Sequence, residues 1–425
     1  MKATSPDSES RSPRTREAAA SSPGEIVSPG DNVDQLNEDS IEGAVESDPS
    51  IVVRDGRTDH TAKGRAGRQS SHSTHAKGKN VPTKSVSSTL TALNRKAVGS
   101  PKHRFGHLYR LIDLQALYES FRSLERMSAP GLDGVTYSDY ESNLDDNLRC
   151  LLDRLIRKCY RAPHVKRCFI PKGNGKVRPL GLPTLEDKIV QHAASRILSS
   201  IYEADFSDRS LGYRRGQPGA QKASQQLDQE LNGGTCRWIV EADIRSFFDD
   251  MDHDWLCKML EQRIDDRAFL GLIRKWLKAG IQEAGVSQVE NPEKGTPQGG
   301  IISPILANIY LHYVLDLWIE KPVRKKSEGE VVFMRYADDI IVGFERHSDA
   351  ERYLAQLPER LAKFKLRLAE EKSGMVKFNR WEPKTSGVFT FLGFDFHWSP
   401  TVRNPKYRVV KRKTNKKKYR GSLRA

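Results

Sequence analysis

Residues 331–344, VVFMRYADDIIVGF, place two adjacent acids in the middle of an otherwise apolar run. A short apolar segment on each side of a polar break is typical of two β-strands joined by a tight turn. Burying an unpaired carboxylate is costly, so Asp338 and Asp339 need either water or a cation beside them. Taken alone, the pair is satisfied by a turn that faces water.

A third acid occurs in the same unusual setting elsewhere in the chain. Residues 238–244, WIVEADI, form a short apolar strand pattern that ends near Asp243. Acids at the ends of neighbouring strands would converge on one place, where carboxylate oxygens suit a divalent cation. Two such acids on neighbouring strands could therefore hold divalent metals.

Further elements are predicted on both sides of these strands. A hairpin is expected from strands at 167–170 and 177–180 around the turn 171–176, and Thr184, with Asp187 three residues later, is expected to open a helix. Ser303 is expected to cap a helix that has Pro304 in its first turn. Amphipathic helices are expected at 107–127 and 140–160.

The first 85 residues differ from the rest in composition. They are mostly Ser, Pro, Gly, Ala and charged residues, and no aromatic residue precedes Phe105. Such a segment buries too little apolar surface to offset its conformational entropy, so 1–85 is predicted to be disordered. It has neither the apolar run of a secretory signal nor the acid-poor composition of a transit peptide. No run of 18 apolar residues indicates a membrane span.

The charge distribution indicates the kind of partner that the protein binds, and the cysteines indicate the cellular compartment. The formal net charge is +15, and residues 401–425 hold eleven Lys and Arg and no acid. A solvated terminus would explain such a tail, but its charge placement favours binding to a nucleic acid. The five cysteines include no Cys-x-x-Cys pair, which disfavours a zinc site. Reduced thiols in a bacterial cytoplasm are the better interpretation.

Eight sequence blocks in a fixed order resemble one family, the reverse transcriptases encoded in bacterial group II introns. The resemblance covers about residues 105–420. The blocks are APGLDGV (129–135), IPK to RPLGLP (170–183), LEDKIVQ (185–191), EADIRSFFD (241–249), GTPQGGIISP (295–304), RYADD (335–339), EEKS (370–373) and FLGF (391–394).

This resemblance implies an α/β right-hand polymerase fold, in which an antiparallel palm sheet carries the acids and is backed by helices. The expected domains are a disordered extension (1–85), fingers (86–234), a palm (235–400) and a basic tail or start of a thumb (401–425). Relatives continue beyond Lys411–Thr414 into a helical thumb and a maturase region, so we expect the thumb to be truncated or absent. The block LGYRRGQ at 211–217 departs from the usual YGFRPGR, which affects the expected template contacts.

The resemblance also implies a two-metal site for RNA-directed DNA synthesis. Asp243 and Asp338 would coordinate two Mg²⁺ ions about 3.5–4 Å apart, with Asp339 as a weaker ligand. The implied partners are an RNA template such as the intron RNA, a DNA or RNA primer, and deoxynucleoside triphosphates.

Other roles follow by position in the blocks. Residues expected to contact the triphosphate or the nascent base pair are Lys172, Lys176, Arg178, Gln298 and Gly299. The lysines would equally fit an exposed hairpin tip. Phe248 is expected to exclude a 2′-hydroxyl, and its neighbour Phe247 to lie in the core on the opposite side of a strand end. Lys372 is expected to protonate pyrophosphate or to be a surface lysine.

Two other functions remain open from the sequence. One is a maturase-like RNA-binding protein with weak or no catalysis. The other keeps the chemistry in a retron-type or CRISPR-associated reverse transcriptase.

Overall fold

A four-stranded antiparallel sheet lies at the centre of the chain. The computed structural model describes residues 86–171, 177–214, 216–217, 219–283 and 285–416. Strands β6 (Val331–Tyr336) and β7 (Asp339–Phe344) form the predicted hairpin, and β3 (Trp238–Ala242) and β8 (Gly374–Lys377) complete the order β6-β7-β3-β8. The predicted strands and their turn are confirmed.

Alternate residues of this sheet enter two different cores, because successive side chains of a strand point to opposite faces. Val240, Phe333 and Val342 pack in one core, whereas Ile239 and Ile341 pack in the other. The first core includes the helix His347–Lys363, which lies against β3, β7 and β8. The second includes the helix Ala220–Gly233 and a three-stranded sheet of β9 (Phe389–Phe391), β10 (Phe394–Pro400) and β11 (Arg408–Thr414).

A second four-stranded sheet contains the other predicted hairpin. Strands β1 (Val165–Pro171) and β2 (Val177–Leu182) pair antiparallel, and β4 (Ile281–Glu283) and β5 (Val289–Glu290) extend the sheet in the order β2-β1-β4-β5. The hairpin tip, which includes Lys172 and Lys176, lies outside the described residues.

The remaining helices pack around these sheets. The α-helices, in chain order, are α1 Val86–Gly99, α2 Leu114–Arg122, α3 Tyr137–Glu141, α4 Leu144–Ile156, α5 Leu185–Tyr202, α6 Ala220–Gly233, α7 Phe247–Asp250, α8 His253–Glu261, α9 Arg267–Leu277, α10 Ser303–Leu311, α11 Arg324–Lys326 and α12 His347–Lys363. Within the ranges given above, no helix combines the length and the apolar composition needed to cross a bilayer.

Helix α5 begins as predicted, because the Thr184 hydroxyl accepts a hydrogen bond from the Asp187 backbone. Other boundaries were predicted wrongly, among them those of the expected helix 140–160, of which only Leu144–Ile156 forms one helix, α4. The expected helix 107–127 is divided into a 3₁₀ turn, Leu108–Leu111, and α2, because the Asp113 side chain caps a new helix start at Ala116 N. Ser303 is the first residue of α10 and not its cap, and its hydroxyl is hydrogen-bonded to Pro297 O.

The mixed α/β architecture agrees with the expected fold class. The expected extension 1–85 lies outside the described residues, as do residues 417–425. Within the predicted basic tail, Arg408–Thr414 forms strand β11.

Candidate active site

Asp243 and Asp338 lie at the same end of the two inner strands of the central sheet, Asp243 after β3 and Asp338 before β7. Ala242, the last residue of β3, pairs with Ile340 of β7, so Asp243 follows directly beside the β6–β7 turn. Tyr336 pairs with Asp339 across that turn, which leaves Ala337 and Asp338 as its two central residues. Ala337 has a left-handed backbone, with φ of 56°. The convergence of acids predicted from the two strands is therefore present for Asp243 and Asp338.

The electrostatic environment of Asp338 disfavours its ionised form. Burial is the main cause that raises the pKa of its carboxyl, and the nearby charge of Asp243 raises the pKa further. A backbone hydrogen bond and the charges of Arg178 and Lys372 act in the opposite direction. A half-buried carboxylate next to a second one is stabilised by a cation placed between them.

Three contacts from residues 369–373 hold Asp243 in place. The Ser373 hydroxyl accepts a hydrogen bond from Asp243 N at 3.1 Å, and Ala369 N donates to Asp243 O at 2.8 Å. Lys372 Nζ donates to Asp243 Oδ2 at 2.6 Å, and this hydrogen bond raises the pKa of the exposed lysine. The exposed Lys372 therefore lies next to Asp243, and its role as a proton donor stays a prediction.

The donor set suits Mg²⁺ if water, or substrate together with water, completes its coordination shell. Asp339 is exposed at the first position of β7, and the described ranges contain no group of three or more His, Cys, Asp or Glu side chains arranged for a metal ion. Magnesium is usually bound by one or two carboxylates together with substrate phosphates and water. Asp243 and Asp338 fit this requirement, and Asp339 does not converge with them in a three-acid group.

Phe248 lies in a helical turn and not at a strand end. Strand β3 ends at Ala242, and Phe247–Asp250 forms α7 after Ser246 adopts a left-handed backbone, with φ of 44°. The expectation that the two phenylalanines face opposite sides of a strand is therefore wrong. The predicted division between core and surface holds, since Phe247 is 3% exposed and Phe248 is only partly buried.

The segment that carries Gln298 is attached to both α7 and β2. Thr296 N donates to Phe248 O at 2.8 Å, and Gly181 N donates to Gln298 O. Gly299 has φ of 110°, and a side-chain Cβ at this position would lie 2.5 Å from Gly181 O. A glycine is required here, because both the backbone conformation and the close approach exclude a side chain.

Arg178 lies on the exposed part of β2, where it pairs with Ile170 of β1. Its charge lowers the pKa of Asp338, so the guanidinium lies within electrostatic reach of the acids. Lys172 and Lys176, the other expected triphosphate contacts, lie outside the described residues.

Sequence reasoning missed three buried residues behind the acidic turn. Arg335, Asn308 and Asp316 form hydrogen bonds with one another and with the turn. A usable signal was present in Arg335 itself, a charged residue within the apolar strand β6.

Comparisons with known proteins show the family to which the chain belongs. The family model described as reverse transcriptase (RNA-dependent DNA polymerase) matches residues 170–396, more than half of the chain. Protein YkfC of Escherichia coli is 33% identical over 278 residues, which cover 58% of this chain and 72% of YkfC. Group II intron-encoded protein LtrA of Lactococcus lactis is 31% identical over 350 residues.

The LtrA match covers 68% of this chain but 56% of LtrA, so the chain spans just over half the length of that relative. A putative COX1/OXI3 intron 1 protein of Saccharomyces cerevisiae is 37% identical over 163 residues, which cover 38% of this chain and 19% of that protein. The matched blocks, the family model and these relatives lead to one conclusion: the chain belongs to the reverse transcriptase family, and within it to the group II intron-encoded reverse transcriptases and maturases.

Proposed function

We propose that this chain is an RNA-directed DNA polymerase that extends a primer with deoxynucleotides on an RNA template such as a group II intron RNA. The main support is the position of Asp243 and Asp338 at one sheet edge, where burial and mutual repulsion raise the pKa of Asp338. Family membership supports the class of reaction. The free state of all five cysteines agrees with a bacterial cytoplasmic setting.

In this proposal the chain forms the fingers and palm of a right-hand polymerase. Residues 86–234 are the fingers, 235–400 the palm, and 401–425 the start of a thumb. The central antiparallel sheet and the helix α12 packed on it give the rigid support that a palm requires.

Asp243 and Asp338 would hold two Mg²⁺ ions, and the exposed Asp339 would be an auxiliary ligand. When bound, these ions activate the primer 3′-hydroxyl and stabilise the leaving pyrophosphate. The side chains of this chain then act mainly by positioning, as is usual in phosphoryl transfer.

Each of the remaining candidate site residues has a proposed role in binding the substrate or in proton transfer. Arg178 would bind the triphosphate with its planar fork, assisted by Lys172 and Lys176 of the hairpin tip. Phe248 would contact the sugar, and Gln298 and Gly299 the nascent base pair. Lys372 would donate its proton to the pyrophosphate oxygen that departs.

The test is primer extension on an RNA template with Mg²⁺ and deoxynucleotides, comparing the full chain with Asp338→Asn. We expect incorporation to fall by about 10²–10³-fold, because one ligand of the metal site is lost. RNA affinity, measured in parallel by filter binding, should change little. Asp254→Asn, an exposed acid of α8, is the matched control.

Equal incorporation by the two proteins would refute the assignment of Asp338. A second candidate function is RNA binding without catalysis, which the intron-encoded relatives and the basic C-terminal segment favour. That function would gain support if the wild-type chain binds RNA but incorporates no nucleotide.

A further inference from the structure

Arg335 is a completely buried cation directly behind the acidic turn. Its exposed fraction is 0%, and that of its partner Asp316 is also 0%. The guanidinium forms a bidentate salt bridge with Asp316, with Nε–Oδ1 and Nη2–Oδ2 distances of 2.7 Å. Its third nitrogen, Nη1, donates to Asn308 Oδ1 and to Ala337 O, both at 3.0 Å. Arg335 therefore connects the helix behind the sheet to the backbone of the turn that carries Asp338.

The irregular helix after α10 brings both partners of Arg335 to one side. Asn308 lies in α10, and the residues His312–Asp316 that follow form a π-helical turn. In an unbroken α-helix, residues eight positions apart would point in directions about 80° apart. A π turn contains an additional residue, so Asn308 and Asp316 are about two full turns apart and face Arg335 together.

A second segment fixes the same turn from its other side. Leu211 N donates to Arg335 O at 2.9 Å, and Arg335 N donates to Arg209 O at 2.9 Å. Asn308 Nδ2 donates to Gly212 O at 2.8 Å. A Cβ at Gly212 would lie 2.3 Å from Ala337 N, so this backbone is in direct contact with the turn.

The charge of Asp316 is balanced mainly by Arg335. His312 Nδ1 lies 3.8 Å from Asp316 Oδ2, but burial lowers the pKa of this histidine to about 4. The histidine is therefore neutral near pH 7 and adds no full positive charge. Because a buried charge without a partner is unstable, Arg335 and Asp316 constrain each other to a single arrangement.

We propose that Arg335, Asp316 and Asn308 form a positioning network that fixes the backbone of the turn 336–339 and so sets the affinity of the acids for divalent metal. The proposal rests on the proposed function, since it takes Asp243 and Asp338 as metal ligands. None of the three residues is expected to touch the substrate. They act through Ala337 O and Gly212, which determine where the Asp338 carboxylate lies relative to Asp243.

The experiment uses the full chain and two substitutions. Asp316→Asn keeps the size of the side chain but removes the negative charge that pairs with the Arg335 guanidinium. Asn308→Ser keeps the Arg335–Asp316 pair and shortens the link to Gly212 O, so it tests the network if Asp316→Asn does not fold. The control is Asp205→Asn, which breaks the largely buried pair with Arg263 (2.9 Å), whose side chain also contacts Ala97, Ser100, Pro101 and the Phe105 ring.

The first readout is Mn²⁺ affinity, measured by electron paramagnetic resonance without nucleotides or primer. We expect Asp316→Asn to weaken Mn²⁺ binding by about 10–100-fold, as is typical when a residue that orients a ligand is lost. Asn308→Ser should weaken binding in the same direction but less. The second readout is primer extension, in which kcat should fall about 10²-fold for Asp316→Asn, while KM for deoxynucleotide changes little.

Asp205→Asn should lower the thermal midpoint without changing Mn²⁺ affinity or kcat. The inference is overturned if a folded Asp316→Asn or Asn308→Ser binds Mn²⁺ as the wild type does, or if Asp205→Asn shows the same loss. A wild-type chain that binds Mn²⁺ but incorporates nothing would refute the proposed polymerase. Weaker Mn²⁺ binding by the network variants would in that case still support the positioning network.

Discussion

Phe248 illustrates how a single residue obtains a specific role from its backbone. The left-handed Ser246 turns the chain into α7 directly after the acid-bearing strand, so Phe247 enters the core and Phe248 remains at its border. The backbone of Phe248 is bound to Thr296, two residues before Gln298. Phe248 therefore follows Asp243 by five residues and is joined through its backbone to the segment proposed to contact the base pair.

We predict that Phe248→Ala admits ribonucleotides. Removal of the ring would open space beside the sugar, so the preference for deoxynucleotides over ribonucleotides should fall by about 10–100-fold, since a steric contact of this size contributes about 1–3 kcal/mol. The measurement is the ratio of kcat/KM for the two sugars in single-nucleotide extension.

Phe364→Leu is a suitable control for that experiment, because Phe364 is a buried core aromatic whose ring packs at a tilt against that of Trp255. Sugar selectivity should be unchanged in this variant. If Phe248→Ala retains the selectivity of the wild type, the excluding residue is a different one.

At the scale of secondary-structure elements, helix α5 is anchored by a buried carboxyl. Asp187 accepts hydrogen bonds from the Tyr160 hydroxyl and from Trp276 Nε1 of α9. Its other oxygen, Oδ2, is buried and has no hydrogen-bond donor in the described part of the chain. Burial raises the pKa of Asp187 from its ordinary 3.8 to about 7.

This shift predicts a defined pH dependence of stability. Between about pH 4 and pH 7 the folded protein holds a proton that the unfolded chain has released, so the stabilisation from Asp187 decreases as pH rises and is lost above pH 7. Asp187→Asn does not titrate and keeps an oxygen acceptor for Tyr160 and Trp276. The melting temperature of this variant relative to the wild type should therefore rise from pH 5 to pH 8.

The measurement is a thermal melt at several pH values for the wild type, Asp187→Asn and the exposed control Asp254→Asn. The control curve should run parallel to that of the wild type. If the plot of melting temperature against pH for Asp187→Asn also runs parallel to that of the wild type, the Asp187 carboxyl is ionised in the folded protein from pH 5 to pH 8.

At the scale of the whole molecule, the net charge of +15 favours nucleic-acid binding. How much each basic residue contributes to that binding depends on the direction in which its side chain points. Along β11, Lys411 and Lys413 are exposed, whereas Arg412 points to the other side and pairs with Asp228. Arg412 also donates to the Ser224 hydroxyl of α6 at 2.8 Å. The two lysines are thus available to phosphate, and the arginine has a structural contact.

We predict that the double variant Lys411→Ala/Lys413→Ala binds RNA more weakly and with a smaller dependence on salt. Each lost contact with single-stranded phosphate should reduce the slope of log affinity against log salt by about 0.7. The measurement is RNA affinity over a series of salt concentrations. The control is Lys325→Ala/Lys326→Ala, which removes the same charge from α11; equal effects of both pairs would mean that net charge alone is responsible.

Local patterns in the sequence determined most of the elements that carry the site. The hairpin around Asp338, the strand before Asp243, the β1–β2 hairpin and the Thr184 start of α5 follow from periodicity, turn residues and capping, which act over a few residues. The helix starts near Asp113 and Ser303 were predicted wrongly. The hydrogen bonds of these two side chains, to Ala116 N and to Pro297 O, determine where each helix begins.

The relations between distant segments were decided only by tertiary structure. Lys372 reaches Asp243 across 129 positions, and Asn308 and Asp316 meet Arg335 only because a π turn aligns them. The side of the chain on which Phe248 lies depends on the left-handed Ser246. These features depend on which surfaces pack together, and packing is a property of the assembled core that no short stretch of sequence contains.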